Sequence, residues 1–438
     1  MIKSNIPICS VRILFFCAIL CSCKENMDST SAYTQPEWVH TLSLYEITPY
    51  QYKDAGGLQG ITNDLRRIHR LFFSGIVLHP VTVQDQANNA FNPSSPFAIQ
   101  SYQTIEASLG TSEDLKILLD SAKNLGLKVM YAWNVSETGP HHPWRSGQPT
   151  FYKSNDKMRD GQYNTAYVAL DLSKEEVQRE IISEFEQFSS TFDFDGYILF
   201  GDSTDIASCI PLFERACPKN GWIAPNMGSR ASSKVSGKNP SLFPFFESIF
   251  RETYDSMALE TLLNETMRTQ WMNAFIDYEF NWKRGTDYML FPNAYTYYIM
   301  LAHFLPGIPW TLNGQENGLT QAINPFDHKS LTRQFHFNED LFRSLNLQRR
   351  NNKALQYSSP HSELKIIGRG RHAMAIARQA GNQYIVGIFN FGDEKTSVQL
   401  DLFYPNALDL FNKIPVQYPV GKDIFLGPYQ ALMFSNVP

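Results

Sequence analysis

The sequence predicts an α/β protein, a (β/α)8 barrel followed by a C-terminal all-β sandwich. Three observations lead there. Across residues 36–354, short apolar runs alternate with amphipathic helical segments, the pattern of parallel strands joined by crossover helices. From about Leu355 that rhythm gives way to short strands of alternating polarity, the pattern of a small sandwich. The length of 438 residues accommodates one large α/β domain with a small partner.

In chain order, Lys3 and Arg12 precede Ile13-Leu14-Phe15-Phe16-Cys17-Ala18-Ile19-Leu20. This apolar run is too short to span a bilayer and suits the core of a signal peptide covering residues 1–22. A polar tether follows over 23–35. Barrel strands are expected at Leu42–Pro49, Gly75–His79, Lys128–Asn134, Asp195–Phe200, Gly221–Asn226, Ser248–Thr253, Met272–Tyr278 and Ile308–Asn313. Helical periodicity is clearest in Ser112–Leu125, Lys174–Ser189, Phe291–Phe304 and Glu339–Asn351. Ser112 with Glu113 and Asp114 reads as an N-cap with acids in the first turn, and Gly126 as the stop. In the region 355–438, strands are expected at Leu364–Gly368, Ala373–Arg378, Tyr384–Phe389, Ser397–Leu402 and Gln430–Ser435.

Composition narrows the function classes. Hydrophobic residues make up 43% and charged residues 18%, ordinary globular values that exclude a disordered chain. The net charge of −5, with no basic cluster, argues against a nucleic-acid partner. Aromatic residues reach 13%, which fits either sugar-stacking platforms or a large aromatic core. Four of the 6 cysteines lie in the leader. Cys209 and Cys217 flank Pro211 in a helical stretch, about 12 Å apart by helix rise, too far for a disulfide. No His/Cys cluster has zinc-ligand spacing, and no cofactor is implied.

The leader ends in Leu20-Cys21-Ser22-Cys23, which resembles a bacterial lipobox, followed by Lys24-Glu25-Asn26-Met27-Asp28, similar to the acidic tether of surface lipoproteins of Bacteroides type. The resemblance implies that Cys23 is lipidated and anchors the chain at the outer membrane; an ordinary cleaved signal peptide is the alternative. Further along, Leu44-Tyr45-Glu46-Ile47-Thr48-Pro49, Ser95-Pro96-Phe97, Leu109-Gly110-Thr111-Ser112-Glu113-Asp114-Leu115, Phe194-Asp195-Gly196-Tyr197 and Leu305-Pro306-Gly307-Ile308-Pro309-Trp310-Thr311-Leu312-Asn313-Gly314-Gln315-Glu316 occur in order. So does Leu345-x-x-x-Arg349 with Ala354-Leu355. Together they resemble the α-amylase family of glycoside hydrolases over nearly the whole mature chain.

That resemblance implies three acids at barrel strand ends, two of them a nucleophile and an acid/base about 5–5.5 Å apart in a retaining enzyme. Here the expected positions carry other residues. At the third strand Ala132, Ser136 and Glu137 replace Asp, Asn and His. At the fourth, Ile198 stands for the Arg and Phe200 for the nucleophile. At the fifth, Pro225 or Asn226 stands for the acid/base. At the seventh, Tyr278-Glu279-Phe280 replaces Asn-His-Asp. Asp202 and Glu279 are the candidates for relocated carboxylates, with Asp277 and Glu137 nearby, although Asp202-Ser203-Thr204-Asp205 also reads as a helix start. A two-residue shift moves a Cα by about 6–7 Å, more than nucleophilic attack tolerates.

Tyr45, Phe97, Trp133, His142, Trp144 and Trp282 are the candidate substrate contacts, with Trp222 and His141 close by. For Trp133 and Trp222 barrel core is the competing reading. Ile198 and Phe200 would place apolar bulk in the deepest subsite. Calcium is sometimes held in the family's third loop, but Asp156 and Asp160 are few ligands for it, so no metal is expected. The expected function is a hydrolytically impaired surface lipoprotein that binds α-glucan or a related glycan, alongside proteins of an uptake system. An active α-glycoside hydrolase or transglycosylase with relocated carboxylates is the alternative, and a non-glycan interaction scaffold is another.

Overall fold

Every second residue of a strand points to the same side of a sheet, and in this chain that alternation builds the barrel. The computed structural model describes residues 33–85, 98–153, 168–225, 272–274, 293–320, 330–331, 338–357 and 362–438. The first half runs β1 (Leu44–Ile47), α1 (Leu58–Arg70), β2 (Gly75–Leu78), α2 (Ser112–Asn124) and β3 (Lys128–Asn134). A short ribbon of β4 (Glu137–Thr138) and β5 (Val168–Ala169) brackets α3 (Pro143–Gly147). Then come α4 (Glu175–Thr191), β6 (Gly196–Phe200), α5 (Ser203–Ala216), β7 (Trp222–Pro225), β8 (Met272–Ala274), α6 (Tyr295–Phe304), β9 (Ile308–Leu312) and α7 (Glu339–Asn351). The described barrel strands are all parallel, in the order β7-β6-β3-β2-β1-β9-β8. The expected strand Ser248–Thr253 lies outside the described residues.

Register decides which side chains meet inside. Leu44 lies beside Gly75 and Trp310, Val77 beside Met130, Ala132 beside Ile198, and Ile198 beside Ala224. Apart from Gly75, these residues belong to one apolar cluster, which Val39 and Leu42 join and against which Trp38 packs. The intervening residues face the helices: Trp133 and Tyr197 meet Phe185 of α4 at 5.5 and 4.6 Å between ring centroids. Each such side chain, fully buried, contributes about 1.5–3 kcal/mol. Two close approaches demand glycine. At Gly75 a Cβ would sit 2.9 Å from Leu44 and Met130, and at Gly196 it would lie 2.6 Å from the Trp222 carbonyl oxygen.

Helix α2 starts one residue earlier than its sequence suggests. Thr111, not Ser112, is the N-cap: its Oγ1 accepts from the Asp114 N–H at 3.2 Å while Asp114 accepts from the Thr111 N–H at 2.8 Å. Helix α5 runs through Pro211 without a break. Cys209 and Cys217 are both free thiols, the first buried and the second half-buried. Burial raises both, Cys217 to about 12.

The C-terminal domain is an antiparallel sandwich of β10 (Ser362–Arg369), β11 (Ala373–Ala380), β12 (Gln383–Asn390), β13 (Thr396–Gln399), β14 (Ala407–Asp409), β15 (Pro415–Val416), β16 (Asp423–Leu426) and β17 (Ala431–Ser435). Six strands pair in the order β10-β11-β12-β17-β14-β15, and β13-β16 covers their inner face through Val398, Ile424 and Leu426. The sequence pattern misses β14, β15 and β16, which are two to four residues long. The sandwich seats against α6: Phe304 meets Phe389 at 5.3 Å, and Arg378 donates to the Phe304 carbonyl at 2.8 Å.

Because the atom in the way of Gly196 is backbone, Gly196→Ala is expected to cost about 1–3 kcal/mol. Urea unfolding of the full chain checks this; an unchanged midpoint would show that β7 yields freely.

Candidate functional site

In parallel barrels the chemistry sits at the C-terminal strand ends. At the fourth barrel strand, β6, Ile198 is fully buried beside Ala132 and Ala224. Phe200 is in register with Asn134, and its ring lies 5.4 Å from the His79 imidazole. Both positions therefore point into the barrel, as their alternation requires, and both bring carbon there. Pro225 falls elsewhere. It is in register with Leu199, on the outward parity, so it does not occupy an inward strand end and that expectation is corrected.

The described carboxylate inside the mouth is one that motif reasoning passes over. Glu46 on β1 lies in register with inward-facing Val77 and is 7% exposed. Its Oε1 pairs with Nε2 of His79, the residue after β2, and its Oε2 accepts from Trp310 Nε1 at 2.5 Å. Alternation held the signal, since Glu46 follows inward Leu44 by two and His79 follows inward Val77 by two. With both oxygens engaged, Glu46 links β1, β2 and β9 rather than presenting a nucleophile.

The expected substrate contacts separate on inspection. Tyr45 has the outward parity: it is fully buried, its hydroxyl donates to Asn313 Oδ1 or Glu316 Oε1 (each 2.6 Å) and lies 2.9 Å from Arg67 Nη2. That network braces β1 against α1 and the segment after β9, so Tyr45 does not face the cleft. Trp133, 1% exposed, stacks on Tyr102 at 5.0 Å and packs beneath α4, which makes it core rather than platform. Trp222 is inward-facing core and meets Trp38 edge-on at 6.1 Å. Trp144, 8% exposed, is wedged among His142, Tyr102 and Phe151. It lies on the correct face but its ring is covered. His142 caps α3, accepting from the Trp144 N–H at 3.2 Å, and burial lowers it to about 4.

Asp202 is a helix N-cap, accepting from the Thr204 N–H at 2.9 Å, while its own N–H donates to Ser136 Oγ at 2.9 Å. Glu137 is 6% exposed on the β4–β5 ribbon. Phe97, Asp156, Asp160, Asn226, Asp277, Glu279, Phe280, Trp282 and Cys23 lie outside the described residues. Among the described residues no group of three or more His, Cys, Asp or Glu could hold a metal. Between the segments that follow β1 and β9 lies a cavity of about 570 Å³ whose lining includes Gln51, Tyr52, Asp54, Asn63, Asp64 and Asn313. Nearby, Arg67 bridges Asp64 at 2.9 Å and buried Glu316 at 2.7 Å.

Comparison with known proteins agrees with this architecture. The family description "Alpha amylase, catalytic domain" matches residues 26–194. A glucan 1,6-alpha-glucosidase of Streptococcus dysgalactiae subsp. equisimilis is 30% identical over 115 residues, 25% of this chain and 20% of the relative. The trehalose-6-phosphate hydrolase of Escherichia coli K12 is 26% identical over 138 residues, 30% of this chain and 24% of that protein. The chain thus spans about a fifth of the length of the curated relatives it matches. Among solved structures, an alpha-amylase from Lactobacillus plantarum superposes with a TM-score of 0.73 at 18% identity, covering 91% of this chain and 99% of that one. A noncanonic maltogenic alpha-amylase from Thermotoga neapolitana gives 0.72 at 17%, covering 92% and 100%. Residues 26–194 are thus similar to the α-amylase catalytic domain and to segments of glycoside hydrolases, and the fold is that of α-amylases.

The buried histidines carry a pH dependence. His142 and His303 are both lowered to about 4, chiefly by burial. A depressed histidine is neutral in the folded state and binds its proton first in the unfolded one. Its contribution is therefore complete above about pH 6.5 and is lost as pH falls towards 4. Stability is expected to drop by roughly 2–3 kcal/mol per histidine between pH 7 and 4. Urea midpoints measured across that range check it, and His142→Gln should flatten the slope; an identical slope would remove His142 from the account.

Proposed function

We propose that the chain is a hydrolytically impaired homologue of α-amylase-type glycoside hydrolases that binds an α-glucan or related glycan. Through Cys23 it would be anchored by lipid at the bacterial outer membrane, facing the cell surface beside proteins of an uptake system. The observation that carries the first part is the inward placement of Ile198 and Phe200, which fill the strand end where the resemblance expects a nucleophile and its Arg. A retaining double displacement needs a carboxylate at that point, within about 5–5.5 Å of a second one. Phenylalanine can neither attack an anomeric carbon nor carry the resulting ester. The glycan reading is supported by the fold and by relatives named as glucosidases. The anchor reading is supported by Leu20-Cys21-Ser22-Cys23 after a charged and then apolar leader.

The names of those relatives favour a second reading, that hydrolysis persists, with Asp202 or Glu279 as the relocated carboxylates. One experiment separates the two. The full chain is given maltoheptaose, isomaltoheptaose and nitrophenyl α-glucosides, with binding followed by calorimetry and cleavage by released nitrophenol and reducing ends. Binding to an oligosaccharide with cleavage at the buffer rate is the expected outcome. Turnover abolished by Asp202→Asn or Glu279→Gln would overturn impairment in favour of relocated acids. Absence of binding to every glycan tried would leave the scaffold reading. Labelling with a radioactive fatty acid, lost in Cys23→Ala, checks the anchor.

A further inference from the structure

Of the two adjacent histidines in the loop after β3, one is core and the other is displayed. The His141 side chain is 56% exposed, whereas the Asp85 carboxylate behind it, in the segment after β2, is 7% exposed. Asp85 holds it twice: one oxygen accepts from the His141 backbone N–H at 2.8 Å and the other bonds Nδ1 at 2.7 Å. An ionised carboxylate can only accept, so this network assigns the ring proton to Nδ1. In the neutral imidazole Nε2, on the far edge of the ring from Asp85, is then a lone-pair acceptor.

The backbone is shaped around this contact. A Cβ at Gly139 would lie 1.9 Å from Asp85 Oδ2, so glycine is what admits the carboxylate. The Gly139 N–H donates to Ile99 at 2.8 Å and the Asp85 N–H donates to Ala98 at 2.7 Å, which ties the two loops together. Both loops leave the C-terminal ends of their strands, so the imidazole stands on the face of the barrel that carries the mouth. A rigidly held acceptor loses little freedom on binding and suits a neutral hydroxyl donor. The carboxylate behind it and the net charge of −5 both disfavour an anionic ligand.

We propose that His141 is a glycan-contact residue at the rim of the mouth, its Nε2 accepting a hydrogen bond from a sugar hydroxyl. Asp85 and Gly139 are positioning residues that act through it. The proposal rests on the glycan-binding reading above and adds a specific contact to it.

The test uses the full chain and maltoheptaose, with isomaltoheptaose in parallel. Affinity is measured by calorimetry, and the imidazole is followed by histidine side-chain proton–nitrogen NMR. Loss of one hydrogen bond predicts a Kd about tenfold weaker in His141→Ala. Its melting temperature should fall only modestly, because the buried Asp85 carboxylate loses the imidazole but keeps the His141 backbone N–H. In the wild type, the His141 Nε2 resonance should move on titration with the sugar. Asp85→Asn offers an amide N–H to Nδ1, so it should shift the proton to Nε2, visible in the nitrogen shifts, and weaken binding as His141→Ala does. A purely structural Asp85 would change the melting temperature without that signature. If the wild type binds and His141→Ala binds equally, or if the Nε2 resonance stays still, this contact is overturned and the glycan reading stands. If the wild type binds neither sugar, both fall.

Discussion

A closed parallel barrel has to fill its own axis, because alternate residues of every strand point there and water does not reach the lower layers. Only the last layer is open to chemistry. In this chain that layer receives Phe200 beside His79, with Glu46 drawn between His79 and Trp310. Among the described residues, Phe200 packs against the barrel core from this layer, and the Glu46 carboxylate is satisfied by His79 and Trp310 of the neighbouring strands.

Charge elsewhere follows the same economy. Arg67 is bound to Asp64, Glu316 and the Tyr45 hydroxyl, joining α1, β1 and the turn after β9. Removing one partner from such a group leaves a buried charge exposed to a low-dielectric surround, whereas replacing the whole group with hydrocarbon can be neutral. These networks consequently say more about which segments must meet than about how stable the meeting is. Two of the three amides that line the neighbouring cavity, Gln51 and Asn313, are already hydrogen-bonded to each other at 2.9 Å.

Strands and long helices were legible in the sequence because their spacing is a property of the backbone. Most of the expected barrel strands that fall among the described residues form within a residue or two, and α4 and α7 nearly match their periodicity. The side a residue faces was harder to read. Tyr45 and Trp133 look like sugar platforms in a list of aromatics, yet one step of alternation turns each towards the helices. Glu46 and His79 were hidden for the opposite reason, since an isolated Glu and an isolated His carry no motif until register aligns them. The difference between His141 and His142 is finer still. His141 is held by Asp85, more than fifty residues earlier and close only in the folded chain, whereas His142 packs on Tyr102 and Trp144.

The seat of the sandwich on α6 has a consequence for how the molecule comes apart. Phe304 and Tyr297 of that helix cover Phe389, and the Arg378 guanidinium finds its acceptor at the helix's end. Gly387 is bare because a Cβ there would strike the Phe389 ring at 2.3 Å and approach Phe304 at 3.2 Å. Pulling the two apart would strand an arginine in an apolar wound and wet three aromatic rings, a penalty that neither part recovers alone. The C-terminal strands are thus less an appendage than the outer wall of the crossover between β8 and β9. Barrel and sandwich should melt as one cooperative body, and a chain shortened before β10 would lack the surface against which α6 packs.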